Sequence, residues 1–430
     1  MICFLCVILL IVTLILNKQI KGRYLCAGSI YVMVWYTFLA LSSFGLFGLY
    51  IPSQLAYMIA IVSCIVFSIV SFLWGSICFP PNVKKYTWRN YRKNNIKVLE
   101  CEHEINYGVI YFLHLVAYVF SIPFCVRSIK VILQYGFGYL RGVESSVIGQ
   151  TTYTVLAFQW LLLPLFTMTM CLAGIDFSKK HKFSSLVYLS IIDAAIYALT
   201  YGGRYVVAKL LFYFVIAALL ENTESLKQFL RKQKKIIGLS IVVLFLLIYM
   251  TSLRSLSGFG FAGNVIGYFT GSFIFFSQLL EFQSTPLYYG QLSFGLILNF
   301  IKSVLKVLFS VDYTGSDVEL QLFLEKANYL PIGQKTVYNA MPTWLYSFVI
   351  DFGTNYFWIG IIIMAVLINT IEKKYYKTKS LRYKLVYMFM LFVCFDSILR
   401  DNLISPGAFV TCFLPLVLVR KSHHKENYYE

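Results

Sequence analysis

Residues 198–212 read ALTYGGRYVVAKLLF. Two glycines, an arginine and a lysine interrupt apolar flanks, each long enough to cross a bilayer. The nearest acid to Arg204 is Asp193, so no local carboxylate neutralises it. The reading is a tight corner between two membrane helices. Gly202 and Gly203 turn the chain, Arg204 opens the descending helix, and Lys209 follows about a turn and a half below. A charge at membrane depth is costly unless it is wetted or paired, which marks this corner as a candidate binding position.

The rest of the chain agrees with a lipid solvent. Of 430 residues, 59% are hydrophobic and only 13% charged, and mean hydropathy is +0.72. Soluble domains carry about a quarter charged residues. Apolar runs alternating with Lys/Arg-rich breaks point to a helical bundle and away from a barrel. No segment is polar enough to stand as a soluble domain, so residues 1–430 read as one integral membrane domain. MICFLCVILLIVTLILNKQIKGR, at the start, is apolar first and basic afterwards. A signal peptide has the opposite order, so this is expected to be an uncleaved first span. The net charge of +18 reads as lysine and arginine gathered in cytoplasmic loops, not as a nucleic-acid surface. The ten cysteines lie in or beside apolar runs or flank a basic loop, with neither a disulfide framework nor zinc spacing.

Spans are expected near 2–17, 24–50, 55–75, 107–126, 151–174, 184–200, 205–221, 236–251, 354–371, 383–400 and 404–419, about 11 crossings of an all-α polytopic protein. With the C-terminus inside, 26 of the 37 lysines and arginines fall in inner breaks, which favours an outside N-terminus and an inside C-terminus. One large outer loop then covers about 252–343. Within it, Gly263, Gly267 and Gly271 form a small-residue helix stripe that would let another helix approach. LILNFIKSVLKVLFS (296–310) is an amphipathic helix, too short and too polar on one face to span, expected in the interface or re-entering it. No inverted or tandem repeat relates the halves.

On this topology the outer face collects Arg141, Arg204, Lys209, Arg254 and Arg400. A guanidinium at a helix start, beside free backbone N–H groups, suits an anionic oxygen ligand, and the anion at an outer membrane surface is a lipid phosphate or diphosphate. Snorkelling to headgroups is the competing account, above all for Arg127 and Arg141. Acids on the same side include Asp317, Glu319, Asp351 and Asp401. Asp401 adjoins Arg400 and is read as its ion-pair partner. Asp351 is either a helix-end partner or a proton acceptor. Asp193 and Asp396 lie within spans and are expected to pair internally. His114 stands alone in the fourth span with no recognisable partner and reads as a satisfied core residue. No nucleotide-loop, serine-elbow or zinc-protease motif is present, and no metal or cofactor is expected.

Three stretches carry a resemblance. TYGGRYVVAKLLF, the large outer loop, and YNAMPTWLYSFVIDFGTNYFWIGIIIMAVL (338–367) are together similar to the oligosaccharide repeat-unit polymerases of O-antigen and capsule synthesis, the Wzy type. The matching positions are Asn339, Ala340, Thr343, Tyr346, Asp351, Phe352 and Gly353, with Gly202, Gly203, Arg204 and Arg400. The resemblance implies a GT-C-like membrane glycosyltransferase in the bacterial cytoplasmic membrane, its site facing the outside. It would move a growing glycan from undecaprenyl diphosphate onto a lipid-linked repeat unit, working among membrane lipids and with a chain-length regulator protein. Arg141, Arg204, Lys209, Arg254 and Arg400 would bind the diphosphate, with Asn339 and Tyr346 at the substrate. Asp317 or Asp351 would assist the acceptor hydroxyl. The related ligases use a histidine in the large outer loop, and none occurs here. The alternative is a lipid-linked oligosaccharide flippase, which would favour short loops and related halves. A transferase using monophosphate-linked sugars would want an acidic pair in the first outer loop, here only IPSQ (51–54). A membrane acyltransferase would need a partnered histidine at membrane depth.

Overall fold

The computed structural model describes residues 2–78, 103–136, 157–201, 205–221, 238, 260–281, 287–310, 330–334, 336–337 and 342–421. Among the described residues the chain is all-α apart from four very short strands. Four helical stretches among the described residues are long and apolar enough to cross a membrane: Ile2–Lys21, Gln54–Gly75, Tyr107–Tyr135 and Trp160–Lys180. Ala27–Ser42, Ser185–Thr200 and Pro406–Leu418 are shorter apolar helices. The span expected at 236–251 falls almost wholly outside the described residues.

Backbone contacts divide the chain into two compact units, where the uniformly apolar sequence offered one domain. The first comprises Met1–Glu100, Ser257–Lys379 and Val393–Phe409. It contains α1 (Ile2–Lys21), α2 (Ala27–Ser42), α3 (Gln54–Cys78), α8 (Gly260–Glu281) and α9 (Gly295–Phe309). A small hairpin of β2 (Pro331–Gly333) and β3 (Thr336–Val337) follows, then α10 (Trp344–Tyr356) and α11 (Trp358–Thr378). The second comprises Cys101–Leu256, Ser380–Phe392 and Val410–Glu430. Its helices are α4 (Tyr107–Tyr135), α5 (Leu163–Lys180), α6 (Ser185–Tyr201) and α7 (Tyr205–Glu221). The helix α12 (Leu381–Asp396) runs across the sequence boundary between units, as does α13 (Pro406–Phe413), while α14 (Pro415–Leu418) belongs to the second.

Local chemistry sets the helix ends. Asn106 caps α4, its side chain accepting from the Val109 N–H at 3.3 Å. The predicted single span over 24–50 is instead broken after Ser42, because Gly45 and Phe47 take left-handed backbone angles. Gly353 (φ +74°) breaks the helix inside the Asp-Phe-Gly stretch, a conformation that favours glycine. Every residue from Trp344 to Asp351 is buried, so α10 is an interior element.

In the first unit, Lys21 donates to Glu372 and Asn369, each at 2.8 Å, and Arg23 donates to Glu372 at 3.0 Å. Lys21 and Glu372 are almost completely buried. At other positions in this unit, the Tyr50 N–H donates to Ile332 O and Ser53 N to Ser277 Oγ. Trp344 N donates to Ser397 O, and Asn299 to Ile404 O. Each link joins segments that the charge pattern assigns to one side. The second unit behaves alike: β1 (His103–Ile105) pairs antiparallel with β4 (Val419–Lys421), and Lys384 donates to Glu221.

Within 252–343, α8 packs into the first unit through buried Phe273, Phe275, Phe276 and Leu279. In its glycine stripe, a Cβ on Gly267 would meet nothing within 4 Å among the described residues, so no close helix approach is seen there among them. Such an approach occurs at Gly174 of α5, where a Cβ would lie 2.9 Å from Tyr213 O and 3.1 Å from the Ala217 Cβ of α7. The amphipathic helix forms as α9, with Asn299 of its polar side turned inward while Lys306 and Ser310 stay exposed. Asn299 is buried, whereas Ile297, Ile301, Leu308 and Phe309 are exposed. Apolar residues outward and an asparagine inward is the arrangement lipid selects.

Gly174→Val is expected to lower stability by about 1–3 kcal/mol, since the facing atom is backbone and cannot swing away. Gly267→Ala should be neutral or stabilising by up to about 1 kcal/mol. Thermal unfolding in detergent measures both. Glu372→Gln leaves Lys21 and Arg23 without their shared carboxylate and should cost about 3–5 kcal/mol in the same assay.

Candidate functional site

Four of the sequence-derived site residues lie among the described residues: Lys209, Tyr346, Asp351 and Arg400. Arg141, Arg204, Arg254, Asp317 and Asn339 lie outside them. Tyr346, Asp351 and Arg400 belong to the first unit and Lys209 to the second. Lys209 is part-buried between helices, donating to Thr167 Oγ1 of α5 at 2.8 Å with its ammonium 5.1 Å from the Phe392 ring centroid.

The first unit gathers a polar corner from the turn before α9, the start of α9, helix α10 and the segment after α12. Asp351 is its clamp. Its carboxylate accepts from Leu292 N at 3.1 Å, Ser293 N at 2.5 Å and Ser293 Oγ at 2.6 Å. The turn it grips is tight, with Tyr289 and Gly290 both in left-handed conformations. Burial pushes the Asp351 carboxyl above the ordinary range, while these hydrogen bonds pull it down. With its oxygens so engaged, Asp351 shapes the turn that carries Gln291, which in turn accepts from Lys302 of α9 at 3.2 Å.

Arg400 does not pair with its neighbour Asp401, contrary to the expectation from adjacency. Its Nε donates to Asp396 Oδ2 at 3.1 Å. Residues four apart at a helix end face one another and adjacent ones do not. Asp396 is fully buried and also accepts from Asn402 Nδ2 at 2.6 Å, while the Arg400 side chain remains 37% exposed. A buried carboxylate thus orients a solvent-facing guanidinium. Asp401 accepts from Leu403 N at 3.0 Å. Burial pushes its carboxyl up to about 6, with the Leu403 and Ile404 N–H groups and the Ser347 hydroxyl opposing and the Asp351 charge adding to the rise.

Tyr346 is buried against Phe276. Its hydroxyl, with Thr343 Oγ1 and Asp396 Oδ1, is sealed from solvent and has no hydrogen-bond partner among the described residues. The corner therefore combines an oriented cation, closely spaced carboxylates and unused hydroxyl capacity beside the lipid-type face of α9. An oriented, partly exposed guanidinium of this kind suits an anionic oxygen ligand.

Sequence reasoning passed over Asn402, Ser293, Lys302 and the orienting role of Asp396. Only the last had a signal, the four-residue spacing to Arg400. His114, read as lacking a recognisable partner, contacts Asp193 Oδ2 at 3.1 Å in the second unit. No family model matches this chain, and neither a curated protein nor a solved structure matches it.

Asp401→Asn should be more stable than the parent at pH 7.5, where the parent buries a charge. A carboxyl whose folded-state pKa is raised binds its proton more tightly when folded, so the parent gains stability as pH falls through about 6. The gap between the two should therefore close towards pH 4, as measured by unfolding at each pH.

Proposed function

We propose that this chain is a membrane glycosyltransferase, a polysaccharide repeat-unit polymerase that transfers a growing glycan from undecaprenyl diphosphate onto a lipid-linked repeat unit. The observation supporting this reading is the half-exposed Arg400 guanidinium held by the buried Asp396 carboxylate, in a corner that also holds Asp351, Asp401 and Tyr346. Breaking a glycosidic bond to a diphosphate builds negative charge on the leaving oxygens. A guanidinium fixed before the reaction stabilises that charge without reorganising. Exposed apolar residues on α9 would lie against the hydrocarbon carrier.

In this reading the chain crosses a bacterial cytoplasmic membrane about 11 times, with the corner on the outer side. Arg141, Arg204, Lys209 and Arg254 are further cations offered to the substrates. Asn339 offers hydrogen bonds to sugar hydroxyls, while Tyr346, buried against Phe276, would support the corner from behind. Of the two candidate acids, Asp317 would take the acceptor proton directly, while Asp351 would act through the turn it clamps. Partners are lipid-linked oligosaccharides and a chain-length regulator.

Arg400→Ala is expected to cut polymerisation by about 10²–10³-fold, the usual cost of one charge-stabilising donor. Arg400→Lys should recover only part of it, because an ammonium lacks the planar fork. Polysaccharide ladders from cells carrying equal amounts of each variant provide the measurement. Single repeat units should persist, still exported and still capped onto their acceptor. Unchanged long chains in Arg400→Ala would remove Arg400 from the site, and repeat units trapped inside a deletion strain would point to a flippase.

A further inference from the structure

The second unit buries a group of polar side chains that the proposed chemistry does not use. His114 and Tyr118 come from α4, Thr169 from α5 and Asp193 from α6. His114 is 2% exposed and Asp193 not at all. Their hydrogen-bond geometry determines where hydrogens sit.

His114 Nδ1 lies 2.7 Å from Ile110 O, and a carbonyl only accepts, so Nδ1 carries a hydrogen. Nε2 faces two oxygens, Asp193 Oδ2 at 3.1 Å and Thr169 Oγ1 at 3.2 Å. The Thr169 hydroxyl donates to Leu165 O at 2.9 Å, so towards Nε2 its oxygen can only accept. Asp193 Oδ1 is occupied by the Tyr118 hydroxyl, which donates at 2.9 Å. In this arrangement both neighbours of Nε2 accept, which calls for a hydrogen on Nε2 as well.

We propose that His114 and Asp193 form a buried proton-binding site, an imidazolium–carboxylate pair that holds one proton between α4 and α6. The ligand is a proton. Releasing it from Nε2 would leave an unpaired carboxylate in an apolar interior facing a ring lone pair, a costly arrangement. The groups around it, on every element packed here, are Tyr118 on α4, Thr167 and Thr169 on α5, Tyr197 one turn along α6, and Lys209 of α7, which bonds Thr167. Lys209 meets α5 at Thr167, two residues before Thr169. The site requires nothing of the glycosyltransferase reading.

The test uses the full chain with His103, His181, His423 and His424 replaced by glutamine, so that His114 is the sole histidine. The ring nitrogens are labelled with nitrogen-15 and recorded in nanodiscs at pH 8, where an ordinary imidazole of pKa about 6.5 has lost one hydrogen. Both nitrogens should resonate in the protonated range. Asp193→Asn should shift one of them to the unprotonated range, and Tyr118→Phe should leave both protonated. A bare ring nitrogen in the parent at pH 8 would overturn the proposal, as would an imidazolium that survives Asp193→Asn. If Asp193→Asn fails to fold, the parent spectrum alone still decides.

Discussion

A carboxylate among apolar helices must find its donors on the protein, because hydrocarbon supplies none. That constraint organises what is described of this chain. Glu372 on α11 is met by Lys21 and Arg23 from the end of α1 and the residues after it. Asp193 on α6 is met by His114 and Tyr118 of α4. Asp351 on α10 is met by the turn before α9. Every one of these links ties an element to another distant in sequence. Removing one partner would strand a charge, so each link also selects a single register for the helices it joins.

The polar corner of the first unit shows how the same constraint orients a side chain. Asp396 is fully buried, yet its partner Arg400 reaches solvent. The cost of burying the acid is offset by Arg400 and Asn402, and the outcome is a guanidinium held in one direction. Asp351 does for a turn what Asp396 does for a side chain.

Several features were legible from neighbouring residues. Asn106 before an apolar run marks the start of α4, and helix lies in every expected span that falls among the described residues. The amphipathic stretch 296–310 was recognisable by its period. Its inward asparagine was not, since Asn299 turns inward towards Ile404 O, far along the chain. The expected ion pair of Arg400 with Asp401 failed for a related reason. Adjacency in sequence says little about facing, and the partner four residues back had the better geometry. For His114 no periodicity could have announced Asp193 or Thr169, which lie on other helices.

Length and apolarity of a segment are local quantities, so the sequence by itself determined that this is a helical chain suited to lipid, where several of its helices run, and which breaks carry positive charge. Pairing is not local. Which helices pack, that they form two units, that Gly174 rather than Gly267 admits a close neighbour, and which donor satisfies each buried acid were decided only in the tertiary structure. There a polar group is stable solely where another part of the chain can complete its hydrogen bonds.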